Sequence, residues 1–249
     1  MARAVHAPGA TGVTDRLDLA EGEAHHLVRV LRAEPGEPVV VMNGRGGEGR
    51  GILLETGKRS ASVRVDSWKL HPPPPVAVTL VQALPKGERL EWILQKSVEL
   101  GASRLVLVQA ERSVTRWSGD EGGKSGRARE ILLNAAKQCG QPWLPELSFA
   151  PTLSAWASTR DASALLLAGD IDPSAPPARD VLRARPRPPA VEAVIGPEGD
   201  FSAAEWGVLR AAGALGVSFG PLVLRTETAA LFLLSILAYE WMDAGRRGV

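Results

Sequence analysis

The chain holds 249 residues, 45% hydrophobic and 23% charged, with a formal net charge of +1 and one cysteine. This is globular composition, with chain enough for one large domain or two smaller ones. It excludes an internal disulfide and a cysteine-rich zinc site, and the near-neutral balance on both sides of Leu70 leaves any nucleic-acid surface to a local patch.

Up to Leu70 the pattern predicts strands. Val39-Val40-Val41-Met42 and Gly51-Ile52-Leu53-Leu54 flank a glycine cluster, and Ala61-Ser62-Val63-Arg64-Val65 alternates. One helix is predicted over Glu21 to Leu31. The sum is a small β-barrel. His71-Pro72-Pro73-Pro74-Pro75 can neither continue a helix nor fill a central strand. It sets a domain break, with domains over 1–71 and 76–249.

Past the break, strands and helices alternate. Strands are predicted at Val76 to Val81, Leu105 to Val108, Ala164 to Ala168, Val191 to Ile195 and Leu215 to Phe219. Helices are predicted at Leu90 to Leu100, ended by Gly101, at Gly126 to Cys139, and after each of the last two strands. This order gives a mainly parallel sheet with helices on both faces. Asp170 to Pro189, rich in Pro and Arg, is predicted as an irregular loop. The last helix, Ala229 to Met242, is apolar nearly all round, which requires burial on several sides, in a dimer interface or in the protein's own core.

No apolar run follows Met1 to His6 as a secretory signal requires. Leu231 to Tyr239 is about half of the roughly 20 residues that span a bilayer. A cytoplasmic protein with no membrane or metal partner is expected.

In parallel sheets, ligands bind at the carboxyl ends of strands. Two such ends carry chemistry. Ile195-Gly196-Pro197-Glu198-Gly199-Asp200-Phe201 precedes Ser202 and Glu205, whose spacing predicts a capping box and a helix start. Phe219-Gly220-Pro221-Leu222-Val223-Leu224-Arg225-Thr226-Glu227-Thr228 opens the last helix. Each alone reads equally as a tight turn. Gly44-Arg45-Gly46-Gly47-Glu48-Gly49 matches a dinucleotide-binding pattern, but a strand follows it, so a hairpin turn is expected and a nicotinamide enzyme is disfavoured. His25-His26 lacks companion ligands at metal spacing, and Cys139 reads as an apolar filler.

The two strand-end segments, Ile195 to Gly199 and Leu224-Arg225-Thr226-Glu227-Thr228-Ala229-Ala230, together resemble the C-terminal signature of the RsmE family. These are SPOUT-class enzymes that methylate N3 of a uridine in 16S ribosomal RNA. His25 to Arg32, Lys86 to Gly101, Glu111-Arg112-Ser113 and Ala135 to Gly140 are similar to further family segments, in order. The chain departs from the family pattern at Asp200, where Gly is usual, at Leu222, where Arg is usual, and at Gln141, where Arg is common.

The resemblance implies an α/β protein: an N-terminal PUA-like small β-barrel for RNA and a C-terminal SPOUT α/β domain with a deep trefoil knot within about 163–245. It implies S-adenosyl-L-methionine as methyl donor, 16S rRNA of the small ribosomal subunit as substrate, and a homodimer. Leu167, Ala168, Gly196, Pro197, Glu198, Gly199, Phe219, Gly220, Leu224, Arg225, Thr226 and Thr228 are then the expected cofactor cradle. Arg225 is the candidate for stabilising charge on the uracil oxygens, and Glu198 or Glu227 for taking the N3 proton, with no choice between them. Arg3, Arg29, Arg32, Arg45, Lys86 and Arg112 are the candidate phosphate contacts. A SPOUT enzyme with another RNA target and a non-catalytic RNA-binding protein of the same fold remain open.

Overall fold

The structure is a computed structural model that describes residues 3–116 and 124–241. The expected end of the last helix at Met242 and of the knot near 245 lie outside the described residues. The chain divides into two compact units, one running to Pro73 and including Leu133–Leu144, the other formed by Pro74–Leu132 and the chain from Pro145 onward.

The first unit is a five-stranded sheet with the order β1-β3-β4-β5-β2. Its strands are β1 (Arg3–His6), β2 (Thr14–Asp18), β3 (Pro38–Met42), β4 (Gly47–Thr56) and β5 (Ala61–Leu70). β1 runs parallel to β3, and the other pairings are antiparallel. Alternate residues Val39, Val41, Leu53, Val63 and Val65 point into one core, as period-two patterning requires. The predicted helix is present in two parts: α1 (Glu21–His25) runs straight into one π-helical turn, His26–Val30. Ala24 and Leu27 bury it against the sheet.

The glycine-rich motif is the β3–β4 turn. Asn43 Oδ1 accepts from the backbone N–H groups of Arg45 and Gly47, both at 2.8 Å. Gly46 has φ 85°, and a Cβ there would lie 2.5 Å from the Trp143 ring. Trp143 belongs to the Leu133–Leu144 stretch, which also supplies the Lys137–Glu23 ion pair at 2.8 Å, nearly closed from solvent.

The second unit is a six-stranded, all-parallel sheet with the order β11-β9-β10-β6-β7-β8. Its strands are β6 (Ala77–Ala83), β7 (Arg104–Val108), β8 (Glu146–Ala150), β9 (Leu165–Gly169), β10 (Ala190–Ile195) and β11 (Leu215–Val217). The helices are α2 (Arg89–Glu99), the first part of α3 (Lys124–Cys139), which passes into the first unit at Leu133, α4 (Leu153–Ala157), α5 (Ala178–Arg183), α6 (Ala203–Ala211) and α7 (Thr226–Trp241). On one face Val81, Val106, Val108, Leu166, Ala168 and Val194 meet Leu153 and Trp156 of α4 and Trp206 and Leu209 of α6. On the other, α7 lies on β6 and β10 and packs against α2 and α5.

The expected irregular loop Asp170 to Pro189 contains α5, a correction to the sequence reading. Ala178, Val181 and Leu182 form a short buried stripe at helical spacing, hidden in the sequence by the Pro and Arg residues around it. β8 was also not anticipated, because its burial barely alternates at the sheet edge.

One ion pair is closed off inside this unit. The Arg160 Nε donates to Glu192 Oε2 at 2.6 Å, with side chains 6% and 9% exposed. Arg160 also caps the carbonyls of Ala164 and Ala212. Burial pushes the Glu192 carboxyl above its ordinary range, against the pull of Arg160. Arg160→Ala should lower unfolding free energy by about 3–5 kcal/mol in a urea titration, because it leaves a carboxylate buried alone. A carboxyl raised in the folded state costs stability as it ionises, so the deficit should grow as pH rises above the ordinary carboxyl range.

Candidate active site

A cleft of about 880 Å³ opens at the carboxyl ends of β9, β10 and β11. Three segments wall it: one between Gly169 and Pro177, Ile195 to Asp200, and Ser218 to Thr226, with Ala229 of α7 behind. Ser202 accepts from the Glu205 N–H and the Glu205 carboxylate accepts from the Ser202 N–H, so the expected capping box is formed and α6 starts where it was predicted.

Of the expected cradle residues, Gly196, Pro197, Glu198, Gly199, Phe219, Gly220, Leu224, Arg225 and Thr226 come together on this cleft. Leu167 and Ala168 do not. They are fully buried in the middle of β9, one toward each face of the sheet, and the lining begins at the next residue, Gly169. Thr228 is exposed and off the lining.

Gly169 and Asp170 escaped the sequence reading. A Cβ at Gly169 would lie 2.9 Å from Phe219, so the bare backbone is what lets that ring lie against the strand end. A Cβ at Gly216 would meet Asp170 Oδ2 at 2.5 Å, so Gly216 makes room for the carboxylate. The available signal was a Gly-Asp pair directly after a strand.

Thr226 joins two of the walls. Its hydroxyl donates to the Gly196 carbonyl at 2.7 Å and accepts from Gln82 Nε2 at 2.9 Å. Gln82, at the end of β6, is fully buried and also donates to the Ala83 carbonyl. Arg112 Nη1 donates to the Gly199 carbonyl of the same loop at 2.9 Å, and the neighbouring Glu111 N–H donates to Glu205 of α6 at 2.8 Å.

The three expected catalytic side chains divide: both glutamates approach Arg89, and Arg225 does not. Arg225 lines the cleft and is exposed, and its guanidinium makes no hydrogen bond or ion pair among the described residues. Glu198 borders the cleft, yet its Oε1 accepts from the Lys86 N–H at 3.0 Å and from Arg89. Burial resists its ionisation, but the bonds from Lys86, its own backbone and Arg89 outweigh that and hold the carboxyl below its usual range. Glu227 is not on the lining, and its Oε1 lies 3.5 Å from Arg89 Nε.

Two departures from the family pattern are placed here. Asp200 has φ 58°, the left-handed region that glycine enters freely, and the Trp206 indole donates to its carboxylate at 3.4 Å. Leu222 stands 75% exposed on the cleft rim.

Among the candidate phosphate contacts, Arg29, Arg32 and Lys86 are exposed with side chains that make no bond among the described residues. Arg3 is paired with Glu37, Arg45 with the Pro8 carbonyl and Arg112 with Gly199.

Thr226→Val keeps the shape of the side chain and removes both bonds of the hydroxyl. It should cost about 1–3 kcal/mol in chemical denaturation, because the Gly196 carbonyl loses its donor.

Residues 72–238 match the model of the RNA methyltransferase domain, and residues 19–66 match that of the RNA methyltransferase PUA domain. The chain is 31% identical over 232 residues to ribosomal RNA small subunit methyltransferase E of Bacillus subtilis, covering 88% of each chain. It is 33% identical to the protein of that name from Mycobacterium bovis, over 93% of this chain and 89% of that one. Among solved structures, ribosomal RNA small subunit methyltransferase E from Neisseria gonorrhoeae, bound to S-adenosyl methionine, is similar with a TM-score of 0.88 at 26% identity, covering 98% of this chain and 100% of the other. The domain order, the strand-end cleft and these matches agree: the chain belongs to the ribosomal RNA small subunit methyltransferase E family, RNA methyltransferases with a PUA domain.

Proposed function

We propose that this protein transfers a methyl group from S-adenosyl-L-methionine to N3 of a uridine in 16S rRNA. The observation that carries the reading is the cleft built from Gly196 to Gly199 and Phe219 to Thr226, in a chain of this family. Its volume suits a nucleoside-sized ligand. Ile195, Phe219 and Leu224 offer apolar wall for a base, while main-chain groups around Gly196 and Gly220 offer polar contacts. Leu167 and Ala168 support this cradle from behind, as core of β9.

When bound, the cofactor supplies an electrophilic methyl group on a sulfonium. For N3 to take that methyl group its proton would have to pass to a base or to solvent water. Arg225, unpaired at the rim, stabilises negative charge that spreads onto the uracil oxygens. The target base has to be unstacked to reach the cleft. Arg29, Arg32 and Lys86 are the phosphate contacts we favour, since no partner within the described chain occupies them. Arg3, Arg45 and Arg112 hold the folded chain together and contribute less.

We also propose a homodimer and the trefoil knot. Support for the dimer comes from α7, which leaves Phe232 41% and Tyr239 83% exposed on a helix that is otherwise largely apolar. Support for the knot comes from Thr226, whose bonds bring the start of α7 onto the strand ends of β10 and β6. We place the protein in the cytoplasm, with ribosomal RNA. No helix among the described residues is long and apolar enough to cross a membrane.

Incubation with undermodified small ribosomal subunits and labelled cofactor, followed by nucleoside mass spectrometry, should yield 3-methyluridine. Label on a ribose or on another base would replace this target. Arg225→Ala should lower the single-turnover rate by about 100-fold, the loss seen when one charge-stabilising donor is removed. RNA affinity should fall steeply with salt. Arg29→Ala with Arg32→Ala should flatten the log–log slope by about 0.7 for each phosphate of single-stranded RNA that is no longer neutralised.

A further inference from the structure

Both glutamates that the sequence offered as proton acceptors turn toward one side chain, Arg89, at the start of α2. Its Nη1 donates to Glu198 Oε1, and its Nε lies 3.5 Å from Glu227 Oε1. The three side chains are one third exposed or less: Arg89 33%, Glu198 28% and Glu227 17%. The second oxygen of Glu227 is buried without a hydrogen-bond partner, and the residue has no place on the cleft lining. Glu198 does border the cleft, but its Oε1 is already taken by two donors.

We propose that Arg89 is a positioning residue whose planar fork joins Glu198 to Glu227, fixing the Gly196–Gly199 loop against the start of α7, and that neither glutamate accepts the N3 proton. Glu198 sits on the loop that floors the cleft, and Glu227 is the second residue of α7. One guanidinium holding both therefore sets the distance between two cleft walls. The Lys86 N–H, bonded to the same carboxylate oxygen, ties the β6–α2 connection into the same arrangement. A carboxylate held ionised by three donors is a weak base, which agrees with a holding role for Glu198. Lysine cannot replace the fork, since a single ammonium lacks the paired planar donors.

The inference rests on the methyltransferase reading, and the experiment keeps the two apart. Cofactor affinity is measured by calorimetry, and the single-turnover rate is measured against pH, for the unaltered protein, Arg89→Ala, Arg89→Lys, Glu198→Gln, Glu227→Gln and the Arg89→Ala/Glu198→Gln pair. Arg89→Ala and Glu198→Gln should each weaken cofactor binding by about tenfold, the worth of one hydrogen bond to a charged group. The pair should be no weaker than the worse single variant, because both weaken the same charge-assisted contact. Arg89→Lys should not restore affinity. Rates at saturating cofactor should fall less than affinity does, and the acidic limb of the pH–rate profile should not move.

A rate loss of about 100-fold or more in Glu198→Gln or Glu227→Gln, with affinity intact, would make that carboxylate the proton acceptor and overturn the proposal. Multiplying losses in the pair, or full rescue by lysine, would overturn it as well. If the unaltered protein binds no S-adenosylmethionine, the methyltransferase reading itself fails. Hydrogen exchange then still tests the clamp: Arg89→Ala should speed exchange of the Glu198 and Asp200 amides, which are bonded within this loop, and unchanged protection would refute it.

Discussion

The Gly196–Gly199 loop is short, mostly main chain, and held by side chains and backbone groups of other segments. Thr226 donates to its first carbonyl, Arg112 donates to its last, and Lys86 and Arg89 grip its glutamate. A ligand site made of backbone has few side chains of its own to define its shape, so its geometry depends on such outside bonds. The buried Gln82 extends that dependence into the sheet, because its amide supplies the hydrogen bond that orients the Thr226 hydroxyl toward Gly196. Three chain segments that are far apart in sequence, around Gln82 to Arg89, Arg112 and Thr226, thus converge on one turn.

The same logic accounts for the small residues around the cleft. Gly169 and Gly216 are there for what lies against them, Phe219 in one case and the Asp170 carboxylate in the other. Asp200 is the opposite case. It occupies a left-handed backbone position without the freedom of glycine, and its carboxylate accepts from Trp206 in partial return. That indole comes from α6, which the Ser202–Glu205 capping box starts at a fixed point.

In the first unit, a glycine-rich motif with the look of a phosphate loop has a structural purpose. Asn43 closes the β3–β4 turn, and Gly46 leaves the space that the Trp143 ring fills. The Trp143 indole donates to the Pro72 carbonyl, so the proline run is bonded at its start as well as stiff. Leu133–Leu144 therefore groups with a stretch of chain that ends at Pro73, something no local pattern announces.

The sequence by itself determined the alternation of strands and helices, the hairpin at Asn43 to Gly46, the start of α6 and the two strand-end segments that carry the family signature. Each follows from local chemistry: side-chain periodicity, glycine at turns, a cap and its reciprocal partner. It did not determine α5, whose buried stripe is only three residues, nor the edge strand β8, whose burial hardly alternates. It named Leu167 and Ala168 for the cradle, whereas the lining of the cleft begins at Gly169, because where a strand stops being core depends on what packs over it. Only the tertiary structure decided which way the charged groups turn. Glu198 and Glu227 were indistinguishable from Arg225 as site residues in the sequence, but Arg89, 109 residues before Glu198, draws both glutamates to itself and leaves Arg225 open to the cleft. An ion pair between distant segments is set by folding, and no spacing rule along the chain encodes it.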